Sequence, residues 1–201
     1  MSPATRLRFR EVLGVAAPMT FGYLTTPLVG LVALGVIGTL GEAALVGGVA
    51  LGAIVCDLVF GAFYFLRAGT TGFAAQAFGR SDGDELRAVL LRGGLVALVG
   101  GGLVAILAPL AVGPAAVLLG GSAEAAAAMR VYVAIRLLGA PLTLLNYVVF
   151  GWLLGQGRAG IGLALQTLLN GADIALSVLL VTGLGLGVGG VATAGVAAEA
   201  I

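Results

Sequence analysis

The sequence predicts an all-α, polytopic membrane protein built as a bundle of about six transmembrane helices, and three observations predict it. Of 201 residues, 60% are hydrophobic and only 9% are charged, with a mean hydropathy of +1.16. Soluble domains carry roughly 25% charged residues, whereas a charge at the centre of a membrane helix costs at least about 2.5–3.5 kcal/mol, so depletion on this scale marks a chain immersed in hydrocarbon. The apolar runs are long and continuous and do not alternate. That selects helices over a β-barrel, since each backbone polar group in lipid must be paired within the protein. Thirdly, the 35 glycines are scattered among Leu, Val and Ala without a triplet period, as expected of small residues that let membrane helices approach closely.

The first span falls at about 12–38, near the roughly 20 residues needed to cross hydrocarbon. Arg6, Arg8 and Arg10 precede it in the manner of a secretory signal, but the uncharged stretch runs from Val12 to Gly41, well beyond an h-region of about 7–15 residues. It reads as a retained span. Within it Pro18 and Pro27 remove backbone donors and bend a helix, and with Thr25 and Thr26 they form a candidate hinge, the alternative being a kink without gating.

Further spans are expected at about 44–78, 86–111, 123–155, 160–182 and from 188 onward. The connections are Gly41-Glu42, Arg80 to Glu85, Gly113-Pro114 through Gly121-Ser122, Gln156-Gly157-Arg158, and Gly183 to Gly187. Ser81, Asp82 and Gly83 followed by Glu85 read as a turn and a helix start. The connections leave no room for a soluble domain, so residues 1–201 read as one unit. The last run is still apolar at Ile201, about 14 residues in, and the expectation is that the chain is cut within that span, because a helix ending in lipid leaves carbonyls unsatisfied.

Arginine placement gives an orientation. Arg6, Arg8, Arg10, Arg80, Arg87, Arg92 and Arg158 fall in or beside the N-terminal tail and the second and fourth connections, whereas the first, third and fifth have none. The positive-inside rule then puts the N-terminus in the cytoplasm. Arg130, a turn or two into the fourth span, is long enough to snorkel to water, and Trp152 at the other end of that span suits an interfacial anchor.

Composition also excludes functions. The basic residues are ten arginines, dispersed and nearly balanced by nine acids, which gives no nucleic-acid surface. A single cysteine, Cys56, and no histidine rule out an internal disulfide and leave no basis for Cys/His metal sites, haem ligation by histidine or Ser-His catalysis. With no pair of catalytic carboxylates at short spacing either, the chain reads as a non-enzyme without a cofactor.

Charge inside a membrane span is by default a functional candidate, and Asp57, Arg67, Arg136 and Asp173 stand out. Counted at 1.5 Å per residue, Asp57 and Asp173 each lie about thirteen residues into their spans, near the midplane. Gln166, Asn170, Asp173 and Ser177 recur at spacings of four, three and four, which puts them on one helical face. Such a stripe reads as the wall of an aqueous cavity whose carboxylate binds a proton or sodium ion, or as interhelical hydrogen bonding that holds the bundle. In the second span Asp57, Tyr64 and Thr71 share a face. Asp57 and Arg67 are roughly 15 Å apart along the axis, so each needs a partner elsewhere. Arg136, closer to the outer interface and followed by Gly139-Ala140-Pro141, reads as an anchor, and Gly47-Gly48 to Gly52 as a close-packing seam.

Three stretches, PLVGLVALGVIGTLGEAALVGGVALG at 27–52, FLRAGTTGFAAQAFG at 65–79 and IRLLGAPLTLLNYVVFGWLLGQGRA at 135–159, together with Asn170 and the GGVATAGVAAE ending, resemble the multidrug and toxic compound extrusion family in its DNA-damage-inducible branch. The resemblance runs over essentially the whole chain. It implies the first six-helix lobe of a transporter with two lobes and twelve helices about a central cleft, exporting small organic, often cationic, compounds against sodium or proton entry from the inner or plasma membrane. The partners implied are those compounds, the lipid bilayer and a C-terminal six-helix lobe.

The resemblance also sets Ala33 at the family's first-helix aspartate, matches Asn170, and puts Ser177 at the fifth-helix aspartate and Gly195 at a sixth-helix threonine, with Thr193 two residues earlier. Asp173, one turn from Ser177, is then the candidate replacement carboxylate. The expected assignment is Asp173 as the ion- or proton-binding group with Asn170 and Ser177 as supporting oxygen ligands, and Asp57, Gln166 and Tyr64 in the substrate cleft. Competition between the coupling ion and a cationic substrate would provide the coupling. Two other functions fit the same sequence: a lipid-linked oligosaccharide flippase of related fold, which would want cleft arginines, and a non-transporting membrane assembly subunit or remnant lobe.

Overall fold

The computed structural model describes residues 9–119 and 121–201, with several side chains near the N-terminus, Pro18 among them, outside the description. Helices α1 (Phe9–Gly38), α2 (Ala43–Gly61), α3 (Tyr64–Gly79), α4 (Gly83–Leu119), α5 (Ala123–Leu138), α6 (Ala140–Gly155), α7 (Ala159–Val178) and α8 (Gly187–Glu199) follow in order, with a π-helical turn at Leu179–Gly183 and no strand among the described residues. By length and composition four helical stretches are long and apolar enough to cross a bilayer, or five when α5 and α6 are taken as one broken span. Helix α8, with 13 residues, covers about 20 Å at 1.5 Å per residue. The all-α membrane bundle is therefore the observed architecture.

One expected span runs through as a single stretch with a short step in it, Ala43–Gly79, and another is bent. The one placed at 44–78 is α2 and α3 joined at Ala62-Phe63, where Ala62 N–H donates to Leu58 O at 3.3 Å and Phe63 N–H to Phe60 O at 3.0 Å. Leu66 N–H donates to Phe63 O at 2.9 Å, so backbone bonding resumes directly after the step, as lipid favours. The span placed at 123–155 is α5 and α6, bent by 54°. Gly139 N–H donates to Arg136 O at 3.1 Å at the bend, and Pro141 sits in the first turn of α6, where a missing N–H has no partner to lose.

Helix α4 corrects the third connection. A loop is expected from Gly113-Pro114, yet the helix continues through Pro109 and Pro114 to Leu119. Each proline forfeits one bond, whereas unwinding the turn would expose several backbone groups. Among the described residues the connection shortens to Gly121-Ser122, and α5 starts at once, with Ser122 Oγ accepting from Ala125 N–H at 3.2 Å. Replacing Ser122 by alanine is expected to cost about 1 kcal/mol, read as a lower thermal midpoint of the full-length protein.

Packing follows the small residues. Helix α2 lies on α5, α3 on α6, α4 across both α5 and α6, α1 on α7, and α7 on α8. At the α2–α5 seam a Cβ on Gly48 would stand 2.5 Å from Ala128 Cβ and 2.6 Å from Ala125 O, and one on Gly52 would stand 2.7 Å from Tyr132 Cδ1. Glycine is what allows the contact. Met129, Val133, Leu137, Leu144 and Val148 fill the interior, whereas Leu91, Ile106 and Leu110 of α4 are 72–74% exposed, as suits a face turned to lipid. Trp152 Nε1 donates to Leu86 O at 2.9 Å, pinning the end of α6 to the start of α4.

Candidate ion and substrate cleft

A cleft of about 760 Å³ opens between α1, α2, α3, α5, α6, α7 and α8, and five charged side chains line it: Asp57, Arg67, Arg136, Asp173 and Glu199. Its walls are otherwise mostly apolar and aromatic, the usual composition of a small-molecule site. Gln166, Asn170 and Asp173 of α7 all border it, so the stripe read from the spacing faces open space.

The stripe divides into two parts. Gln166 Nε2 donates to Asn170 Oδ1 at 2.9 Å, Asn170 Nδ2 to Thr25 Oγ1 at 2.9 Å, and Thr25 Oγ1 to Gly22 O at 2.8 Å. This chain ties α7 to α1 two residues before Pro27, which itself lines the cleft. These bonds hold α7 against α1 while Asn170 still borders the cleft. Asp173 differs: among the described residues the hydrogen bond to its carboxylate is the one from Ser177 Oγ to Oδ1, at 3.2 Å. The half-buried carboxylate thus retains lone pairs for an ion or proton. Ser177 is 2% exposed; it lies behind Asp173 and orients it without reaching the cleft.

Asp57 and Tyr64 also line the cleft and are exposed. Tyr64 stacks edge-on against Tyr147 at 5.7 Å between ring centroids. Arg67 lies with its guanidinium carbon 5.8 Å from the Tyr64 ring and 5.6 Å from that of Phe150, within cation–π range. Thr71 turns away, donating to Arg67 O at 2.8 Å. Helix α1 is one helix through positions 18 and 27, with Pro27 at the cleft and the Pro18 side chain outside the described residues.

Arg136 corrects an expectation. It is not an interfacial anchor: it lines the cleft, its Nη2 donates to Glu199 Oε1 at 3.1 Å, and the two side chains are 16% and 18% exposed. Glu199 is a functional candidate that sequence reasoning missed. Its Oε2 accepts from Thr143 Oγ1 at 2.6 Å and its backbone carbonyl accepts from Asn146 Nδ2 at 3.1 Å, so one residue of α8 gathers α5 and α6. The signal was an acid in an apolar run, the same that singled out Asp173.

The MatE family model matches residues 18–179. DNA damage-inducible protein F of Escherichia coli (strain K12) is 40% identical over 185 residues, which is 92% of this chain and 40% of that protein. Among solved structures, an outward-facing multidrug resistance MATE family transporter of the MOP superfamily superposes with a TM-score of 0.86 at 24% identity, over 95% of this chain and 42% of that one. A MOP superfamily transporter from Pyrococcus furiosus Vc1 (DSM3638), described as having a binding pocket of reverse polarity that suggests a different function, gives the same TM-score, identity and coverage. The chain spans less than half the length of these relatives, and the structural likeness shows the fold. With the family model covering most of its length and two in five residues shared with a curated relative, the chain belongs to the MatE, or multidrug and toxic compound extrusion, family.

Proposed function

We propose that the chain forms the N-terminal lobe of a cation-coupled antiporter that exports organic, chiefly cationic, compounds across the plasma or inner membrane, with its N-terminus on the cytoplasmic side. The observation that carries this reading is the placement of Asp173 and Asp57 in one cleft bordered by aromatic side chains. Asp173 takes the coupling sodium ion or proton, supported by Ser177 behind it and Asn170 beside it, while Asp57, Tyr64 and Gln166 meet the substrate. A desolvated carboxylate cannot stay bare at low cost, so loss of the ion favours entry of a cationic substrate and the reverse. The partners are small organic cations, the lipid bilayer and a C-terminal lobe of six helices. No cofactor and no nucleic acid enter the proposal.

The test uses the full-length transporter in proteoliposomes loaded with tetraphenylphosphonium. An inward sodium or proton gradient is expected to drive its efflux, and efflux indifferent to both gradients would overturn the antiport reading. The second reading, a flippase for lipid-linked oligosaccharide, draws support from Arg67 and Arg136 lining the same cleft. Against it, the Glu199 carboxylate already holds Arg136, leaving that cation less able to receive an anionic head group. Translocation of a lipid-linked oligosaccharide in the same vesicles, without gradient-driven efflux, would replace the first reading by the second.

A further inference from the structure

The Arg136 guanidinium has two ends in different situations. Nη2 is bonded to Glu199, whereas Nη1 is buried and has no hydrogen-bond partner among the described residues. An orphaned buried donor on a charged group is unfavourable, and the space beside this one is specific. A Cβ built on Gly195 of α8 would stand 2.7 Å from Arg136 Nη1 and 3.5 Å from Asp173 Oδ2, so the two atoms flank the same missing side chain from α5 and α7. The Arg136 side also has an aromatic support, its guanidinium carbon lying 5.8 Å from the Phe60 ring centroid.

We infer that Arg136 is a tethered cation shared between Glu199 and Asp173: it rests on Glu199 while Asp173 is occupied, and turns its free Nη1 across Gly195 to the Asp173 carboxylate when that site empties. The inference deepens the proposed antiport and rests on the assignment of Asp173 as the ion site. Its consequence is competition: an external cation reaching Asp173 must displace the protein's own guanidinium. An empty site is thus never a bare carboxylate, and weakly held cations are excluded from it. Arg136 acts through Asp173 and is a positioning residue. The absence of a side chain at Gly195 is what lets it act.

The test measures tetraphenylphosphonium affinity of the full-length transporter in nanodiscs, with size-exclusion profiles as a folding control. Arg136→Gln removes the competitor and is expected to tighten binding about tenfold. Gly195→Ala alters no charge but sets a methyl group between Nη1 and Oδ2, at the expense only of the flexible end of Arg136, and is expected to tighten binding a few-fold. Both gains should vanish when Asp173→Asn is added. If Gly195→Ala leaves the affinity unchanged or weakens it, in a protein where Asp173→Asn alone weakens it, the tethered cation is overturned and the ion site survives. If Asp173→Asn alone changes nothing, the ion site itself falls. Should Arg136→Gln fail to fold, with Glu199 left buried beside no cation, Gly195→Ala alone decides.

Discussion

Asp173→Asn is expected to abolish ion-driven export of tetraphenylphosphonium by the full-length transporter, at least about a 100-fold loss, while leaving membrane insertion and the thermal midpoint close to those of the parent. Asparagine matches the shape of aspartate, and Ser177 Oγ, which donates to Oδ1 at 3.2 Å, can donate equally to an amide oxygen, so the packing around α7 has no reason to change. The charge is lost, and with it the strongest attraction for a cation in a low-dielectric cleft. Ser177→Ala, which removes only the orienting hydroxyl, should cost a few-fold. Vesicle efflux under an imposed gradient measures both; export retained by Asp173→Asn would remove this carboxylate from the mechanism and leave Asp57 and Glu199 as the acids to try.

The second large effect concerns stability and distinguishes two adjacent glycines. Gly48→Ala places a methyl 2.5 Å from Ala128 Cβ, 2.6 Å from Ala125 O and 3.0 Å from Met129 N. Those are backbone and Cβ atoms that cannot swing aside, so α2 and α5 must separate, at an expected cost of about 1–3 kcal/mol for overpacking. Gly47→Ala meets nothing within 4 Å and removes the roughly 0.8–1.0 kcal/mol helix penalty of glycine, so it should be neutral or slightly stabilising. Thermal midpoints of the two full-length variants should fall on opposite sides of the parent, or differ by several degrees; equal midpoints would mean that the α2–α5 seam is looser than the distances indicate.

Long-range hydrophobicity and local spacing were legible in the sequence, and contacts between distant segments were not. The run of apolar spans follows from composition, and the α7 stripe follows from spacings of four and three, because helical geometry carries Gln166, Asn170 and Asp173 to one side whatever surrounds them. The step at Ala62-Phe63 escaped because an apolar break in an apolar run leaves no polar mark. The bend at Gly139 had a signal in Gly139-Ala140-Pro141, but nothing local told a bend from a kink. Helix α4 outran its proline-based stop because lipid penalises unwinding more than a lost bond. Arg136 and Glu199 are 63 positions apart, and no local pattern connects them. The facing of Arg136 is not legible from its depth along a helix, which says nothing about which way a side chain points, whereas Glu199, an acid in an apolar run, carries a local signal of its own.

The step at 62–63 and the bend at 139 lie side by side. Helix α2 leans on α5 and α3 leans on α6, so the interruption at 62–63 and the corner at 139 divide two neighbouring columns into matched storeys. Arg67 belongs to one storey and Arg136 to the other. The α2–α5 seam and the α3–α6 seam are therefore separate contacts, and a substitution that loosens one, such as Gly48→Ala, is expected to leave the other closed.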